Sequence, residues 1–168
     1  MNIKNLTRRS LIGGLGLSVI ATALNGLLPL PAAAHGNCPF CQLAVIADTK
    51  EQDNETGLRI GKRRIDYRCV FCALSDAQAK YKDTDLKVMS PSEKKGSPVV
   101  LERKGGKWTA PEGSVFVGVK GSHRNCQTTY RAFTNQAGFE AFVKKNQGLL
   151  KDAKPLSLNQ MLAVAKGA

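Results

Sequence analysis

Tyr67-Arg68-Cys69-Val70-Phe71-Cys72-Ala73-Leu74-Ser75-Asp76-Ala77-Gln78-Ala79-Lys80-Tyr81 is the stretch on which the fold turns. Val70, Phe71, Leu74, Ala77 and Tyr81 recur at helical spacing, which predicts a helix over Val70–Tyr81. A C-x-x-C pair opens it. Cys69 and Cys72 stand three residues apart, so both thiols can point to one side, and a helix N-terminus favours their thiolate forms. Upstream, Leu58–Tyr67 carries Ile60 and Ile65 among basic residues and predicts a strand. Gln42–Asp48 predicts another, directly after a second pair, Cys38-Pro39-Phe40-Cys41.

Downstream, Leu86–Met89, Val99–Glu102 and Val115–Val119 read as strands, with a hairpin turn at Lys104-Gly105-Gly106-Lys107. Asn135 caps a predicted helix whose apolar face is Phe139, Phe142 and Val143, stopped by Gly148. Ser157 and Gln160 form a capping box for a last helix burying Leu158, Met161, Leu162 and Ala165. Two successive sets of strands and a helix imply an α+β protein of two small strand–helix units. Trp108, Phe116, Met89 and Met161 are assigned to its core.

The chain has 168 residues, 25 Lys+Arg against 13 Asp+Glu, and five cysteines. Residues 1–34 read as a cleaved twin-arginine-type signal peptide. Arg8-Arg9 precedes an apolar, glycine-interrupted run from Leu11 to Leu30, and Pro31-Ala32-Ala33-Ala34 offers the cleavage pattern. The domain proper is then 35–168. Losing Lys4, Arg8 and Arg9 lowers the formal charge from +12 to +9. No lipobox precedes Cys38, so the expected product is periplasmic and meets the membrane only during export. The basic runs Arg59–Arg68 and Lys80–Lys104 read as solvated surface rather than a nucleic-acid site.

Three chemistries compete for the cysteines. Exported chains commonly carry disulfides, but the count is odd, and bridges inside a C-x-x-C close the least stabilising loops. A dithiol redox centre suits C-x-x-C spacing, yet Cys38-Pro39-Phe40-Cys41 precedes a strand instead of opening a helix. Metal binding uses both pairs, which lie 27 residues apart, as four soft thiolates for Cu(I) or Zn²⁺. The metal-ligand set expected from the sequence is therefore Cys38, Cys41, Cys69 and Cys72, with Cys126 or His123 as an exchange ligand. His35, the expected mature N-terminus, is read as an ordinary unliganded terminus.

The order of these pieces resembles the NosL family. The matching parts are Cys38-Pro39-Phe40-Cys41, the stretch from Tyr67-Arg68-Cys69 to Tyr81, and Val115-Phe116-Val117-Gly118-Val119. The last is Phe133-Thr134-Asn135 through Phe139-Glu140-Ala141-Phe142. The resemblance implies a NosL-like fold and a periplasmic accessory protein that delivers copper to nitrous oxide reductase. The chain also departs from that family. Gln42-Leu43 stands where the family has Gly-Met after its C-x-x-C, and Cys126 stands where it has Met, seven residues before Phe133. Thr128 replaces the family histidine, and Cys69 and Cys72 are extra. Thioether ligands have thus given way to thiolates.

The function expected from the sequence is a metallochaperone carrying Cu(I), with zinc as the alternative metal. It would hand its metal by thiolate exchange to a periplasmic metalloenzyme or metal transporter. A module with a structural four-cysteine zinc site and a thiol–disulfide protein are the alternatives. No Ser–His–Asp order or phosphate-cradling loop is present, only two histidines could act as bases, and nothing arranges Asp66 and Asp76 as an acid–base couple. The expectation is that the chain is not an enzyme.

Overall fold

The computed structural model describes residues 34–46, 55–120, 128–150 and 152–167. The proposed signal peptide lies outside them, except Ala34, as do His123 and Cys126. The described residues fall in one compact unit. No helix among the described residues is long and apolar enough to cross a membrane.

The fold is α+β, as expected. Strands β1 (Ala34–Asn37) and β2 (Ala44–Ile46) form an antiparallel hairpin around the first C-x-x-C. A five-stranded antiparallel sheet follows in the order β4-β3-β5-β6-β7. Its strands are β3 (Thr56–Ile60), β4 (Arg63–Tyr67), β5 (Leu86–Ser90), β6 (Val99–Lys104) and β7 (Lys107–Thr109). The single strand expected over Leu58–Tyr67 is two strands. Gly61, at φ +56°, turns the chain so that Ile60 pairs with Arg63. Gly105 and Gly106 both have positive φ, which makes the expected β6–β7 hairpin turn. The far arm of that hairpin is the short strand β7, which pairs Trp108 with Arg103.

Helix α1 (Val70–Lys80) fills its predicted span. Every residue from Val70 to Ala77 is buried, because α1 lies between this sheet and α4 (Leu158–Lys166). Alternation in β5 and β6 sends Leu86, Val88, Val99, Leu101 and Arg103 inward. Arg103 is the one cation so buried among the described residues, and it caps the end of α1. Its guanidinium donates to the Ala77 carbonyl at 3.4 Å, to the Tyr81 carbonyl, and to Thr84 O at 2.9 and 3.1 Å. Ala77 O and Tyr81 O also accept backbone N–H bonds, from Tyr81 and Thr84, so the guanidinium reinforces the helix end.

A separate two-stranded ribbon pairs β8 (Val115–Lys120) antiparallel with β9 (Thr128–Phe133). Strand β9 is not among those expected from the sequence. This ribbon separates two cores through the period-two alternation of strands. Phe116 and Ala132 enter the main core, while Val115, Val117 and Phe133 join Phe139 in a smaller one. Helix α2 (Gln136–Lys145) starts at the expected cap, where Gly138 N–H donates to the Asn135 side chain at 2.9 Å. It ends at Asn146, not at Gly148. The Asn146 amide Nδ2 donates to Phe142 O at 2.8 Å, and Gly148 lies within the short helix α3 (Gln147–Leu150). Helix α4 has the predicted capping box between Ser157 and Gln160, and buries Met161 and Ala165.

Candidate metal centre

The first C-x-x-C is a tight turn built by the β1–β2 hairpin. Cys38 N–H donates to Leu43 O, and Gln42 N–H donates back to Cys38 O, both at 2.8 Å. Closing the turn puts Gln42 at φ +63°, in the left-handed region. The second pair sits where β4 runs into α1. Cys69 is the N-cap residue, with extended backbone, and Cys72 follows in the first turn. Arg68 joins the two segments, since its Nη1 donates to Ala44 O of β2 at 2.9 Å.

The two pairs therefore meet, which the sequence alone left open. The sulfur atoms of Cys38, Cys41 and Cys72 all lie within 4.8 Å of one another. Cys69 stands outside that trio but reaches it through Cys72, at 3.6 Å between sulfurs. None of the four is in a disulfide, and none is more than 2% exposed. Cys126 and His123 fall outside the described residues, so no role in the trio follows for them.

The electrostatics split these thiols. Cys38 is lowered to about 5, because the Cys72 thiol hydrogen-bonds to it and the backbone N–H groups of Arg68, Cys41 and Phe40 assist, together outweighing burial. Cys69 is lowered chiefly by its hydrogen bond with Cys72. Cys72 is raised by its hydrogen bonds with Cys38 and Cys69 and by burial. Burial raises Cys41. At neutral pH the trio thus holds one thiolate and two thiols.

Aromatic rings cover the cluster. Phe40 meets Phe71 edge to face, and Phe71 stacks on Tyr130 of β9 with ring centroids 5.1 Å apart. Beneath, the Tyr67 hydroxyl donates to Asp76 Oδ2 at 2.6 Å, and Lys80 Nζ lies 2.7 Å from Asp76 Oδ1. Burial, and then the Asp76 carboxylate, push the Tyr67 phenol up. In the sequence Asp76 stands out only beside Asp66, not with its partners Tyr67 and Lys80. The i, i+4 spacing of Cys72, Asp76 and Lys80 along one helix face would have pointed to the group. No signal of that kind singles out Tyr130, which reaches the cluster through strand pairing.

No protein family matches the sequence, and no curated protein does. A solved structure does match in fold: the mercury-bound form of MerB2, at a TM-score of 0.52 and 18% identity. The match covers 66% of this chain, which spans 55% of that structure's length. At this identity the likeness is one of fold. It corrects one expectation, that the chain is not an enzyme. That solved structure was captured with mercury bound, and a fold shared with it gives no ground for excluding catalysis. That expectation rested on the scarcity of histidine bases. A thiol lowered as Cys38 is can act as a thiolate nucleophile once its site opens, with no histidine base.

The donor set suits a metal ion. Three sulfurs converge from two chain segments, and soft thiolates favour thiophilic ions such as Cu(I) and Zn²⁺ over hard cations.

Proposed function

We propose that this protein is an exported metal-binding accessory protein that carries a thiophilic ion, Cu(I) first among candidates, and passes it to a partner by thiolate exchange. The observation that carries this reading is the trio Cys38, Cys41 and Cys72, whose sulfurs lie within 4.8 Å of one another. Three soft donors satisfy Cu(I) with no fourth ligand, whereas structural zinc is almost always four-coordinate. A bound metal with an open side can be attacked by a partner's thiolate before it leaves its own. MerB2, the similar fold, was captured with mercury, another thiophilic metal. The NosL resemblance supports the same reading. The position where that family carries glycine is the one that here adopts φ +63°, at Gln42, a conformation glycine takes without strain.

The twin-arginine signal, the periplasmic location and the metalloenzyme or transporter acceptor belong to this proposal. So does a chemical step at the metal, which the fold of MerB2 leaves room for. The second reading is a structural zinc site, favoured by the 3.6 Å contact that brings Cys69 beside Cys72 as a fourth sulfur. Anaerobic purification without added metal, followed by metal analysis and thiol counting, tests both. Stoichiometric copper that a chelator removes from a still-folded protein supports the carrier. Zinc whose removal unfolds the chain supports the structural site, and metal-free protein overturns both.

A further inference from the structure

A redox dithiol at the first C-x-x-C has the wrong context, since that pair precedes a strand instead of opening a helix. The structure puts the right context at the second. Strand β4 runs directly into α1, with Cys69 as its N-cap and Cys72 in its first turn. Both are free, and their sulfurs touch at 3.6 Å. A disulfide needs about 2.05 Å, so closing the bond asks only for a small movement of two side chains at one helix end. Cys69 is not among the three mutually close sulfurs, and Cys72 is. One cysteine is thus shared between two sulfur chemistries.

We propose that Cys69 and Cys72 form a reversible dithiol–disulfide couple whose closure withdraws Cys72 from the metal-binding trio. The oxidant is a small or protein disulfide. The Cys69–Cys72 S–S bond forms as the oxidant's S–S bond breaks. Two electrons pass from the two cysteine sulfurs to the oxidant, whose halves leave as two thiols carrying the two thiol protons. When Cys72 is already metal-bound and has no proton, one half leaves as a thiolate. The metal then keeps only Cys38 and Cys41, and a dithiol reductant restores the third donor. Reaction requires the Phe71–Tyr130 cover to open, so the couple is defined by its equilibrium rather than by a fast rate.

The metal half of this inference rests on the function proposed above, and the experiment separates the two. The full exported protein is equilibrated in graded mixtures of glutathione and glutathione disulfide, its remaining thiols are blocked, and the bond is mapped by peptide mass spectrometry. Cu(I) affinity is measured on the same samples against a colorimetric Cu(I) chelator. The expected results are a Cys69–Cys72 bond and an affinity that falls at least about tenfold on oxidation and recovers on reduction. Cys69→Ser, which keeps a good N-cap residue, should bind Cu(I) within a few-fold of wild type and lose the redox response. The Cys38→Ser/Cys41→Ser variant should still form the bond. Bond formation there, together with no Cu(I) binding by the wild-type protein in either redox state, would uphold the couple and overturn the carrier reading. A bond mapped to Cys38–Cys41, or none formed short of unfolding, overturns the couple. Unchanged Cu(I) affinity in the oxidised protein overturns the gating.

Discussion

Phe40 and Phe71 are each the third residue of their own C-x-x-C motif, and their rings meet edge to face, with centroids 5.8 Å apart and planes at 83°. The contact binds the two motifs together above the thiols they contribute. An aromatic pair of this kind is worth about 0.5–1.5 kcal/mol beyond its buried area. Phe40 is only partly buried, so Phe40→Ala should leave the fold intact and make local opening roughly 2- to 10-fold more frequent. Metal loss to a competing chelator should accelerate by that factor, with little change in thermal midpoint. Phe71 lies deeper in the core, and Phe71→Ala should cost about 3 kcal/mol or more. Stopped-flow chelator transfer beside thermal melts separates these cases. Unchanged transfer in Phe40→Ala would mean that the rings do not gate the site.

Metal affinity should depend steeply on pH, with a defined slope. Binding requires thiolates. Cys38 is lowered to about 5, while Cys41 and Cys72 are raised. Near pH 7 the ion therefore displaces two protons, and affinity should fall about 100-fold for each unit of acidification. Below about pH 5, Cys38 also takes a proton, and the slope should steepen to three. The direction is fixed: acid weakens binding. Chelator competition across pH 5–8, corrected for the chelator's own protonation, measures the slope. A slope near three at neutral pH would show that Cys38 keeps its proton in the metal-free protein.

Much of this fold was legible because its signals are local. The apolar spacing of α1, the Asn135 cap and the Ser157–Gln160 capping box are each contained within a turn or three of chain, and each stands where it was expected. The elements missed depend on distant partners. Strand β9 exists because Thr128–Phe133 pairs residue for residue with β8. The break at Gly61 follows from the pairing of Ile60 with Arg63. At the site, C-x-x-C spacing pointed to sulfur chemistry, but a pair of motifs carries no record of whether they meet. Their meeting depends on Arg68 reaching Ala44 O across 24 residues. The exclusion of Cys69 from the trio is likewise a matter of tertiary geometry.

Gln42 is the one non-glycine residue with positive φ among the described residues, and it closes the turn that holds Cys38 and Cys41. A side chain in the left-handed region costs about 1–2 kcal/mol, and glycine takes that conformation freely, at some entropic cost in the unfolded chain. Gln42→Gly gives up one weak contact, Nε2 to Pro39 O at 3.1 Å. The variant should be more stable by about 0.5–1 kcal/mol, with metal stoichiometry unchanged. Chemical denaturation measures the difference, and a destabilised variant would mean that the Pro39 contact outweighs the strain.

Glu93 and Gly138 predict an inverted glycine effect. Thr134 donates its N–H to Glu93 Oε2 at 2.9 Å and its hydroxyl to Oε1, beside the N-terminus of α2. Burial works to raise the Glu93 carboxyl, but the Thr134 contacts, helped by the Lys94 charge, hold it below its ordinary 4.5. A carboxylate lowered on folding adds stability that is present above its unfolded value and lost as pH falls through the folded one. Glu93→Gln should therefore cost about 1 kcal/mol near pH 7, modest because the group is partly exposed. The gap from wild type should close below about pH 4.5. A Cβ on Gly138 would lie 2.7 Å from the Glu93 Cδ and Oε1. Glycine to alanine inside a helix ordinarily gains up to about 1 kcal/mol, yet here Gly138→Ala must push the carboxylate off Thr134 and should gain nothing or lose stability. With Glu93→Ala in place the obstruction is gone, and the same substitution should then stabilise by about 0.5–1 kcal/mol. Urea melts of the four proteins in this cycle read the coupling directly. Equal effects of Gly138→Ala in both backgrounds would show that the carboxylate does not occupy the space above the glycine.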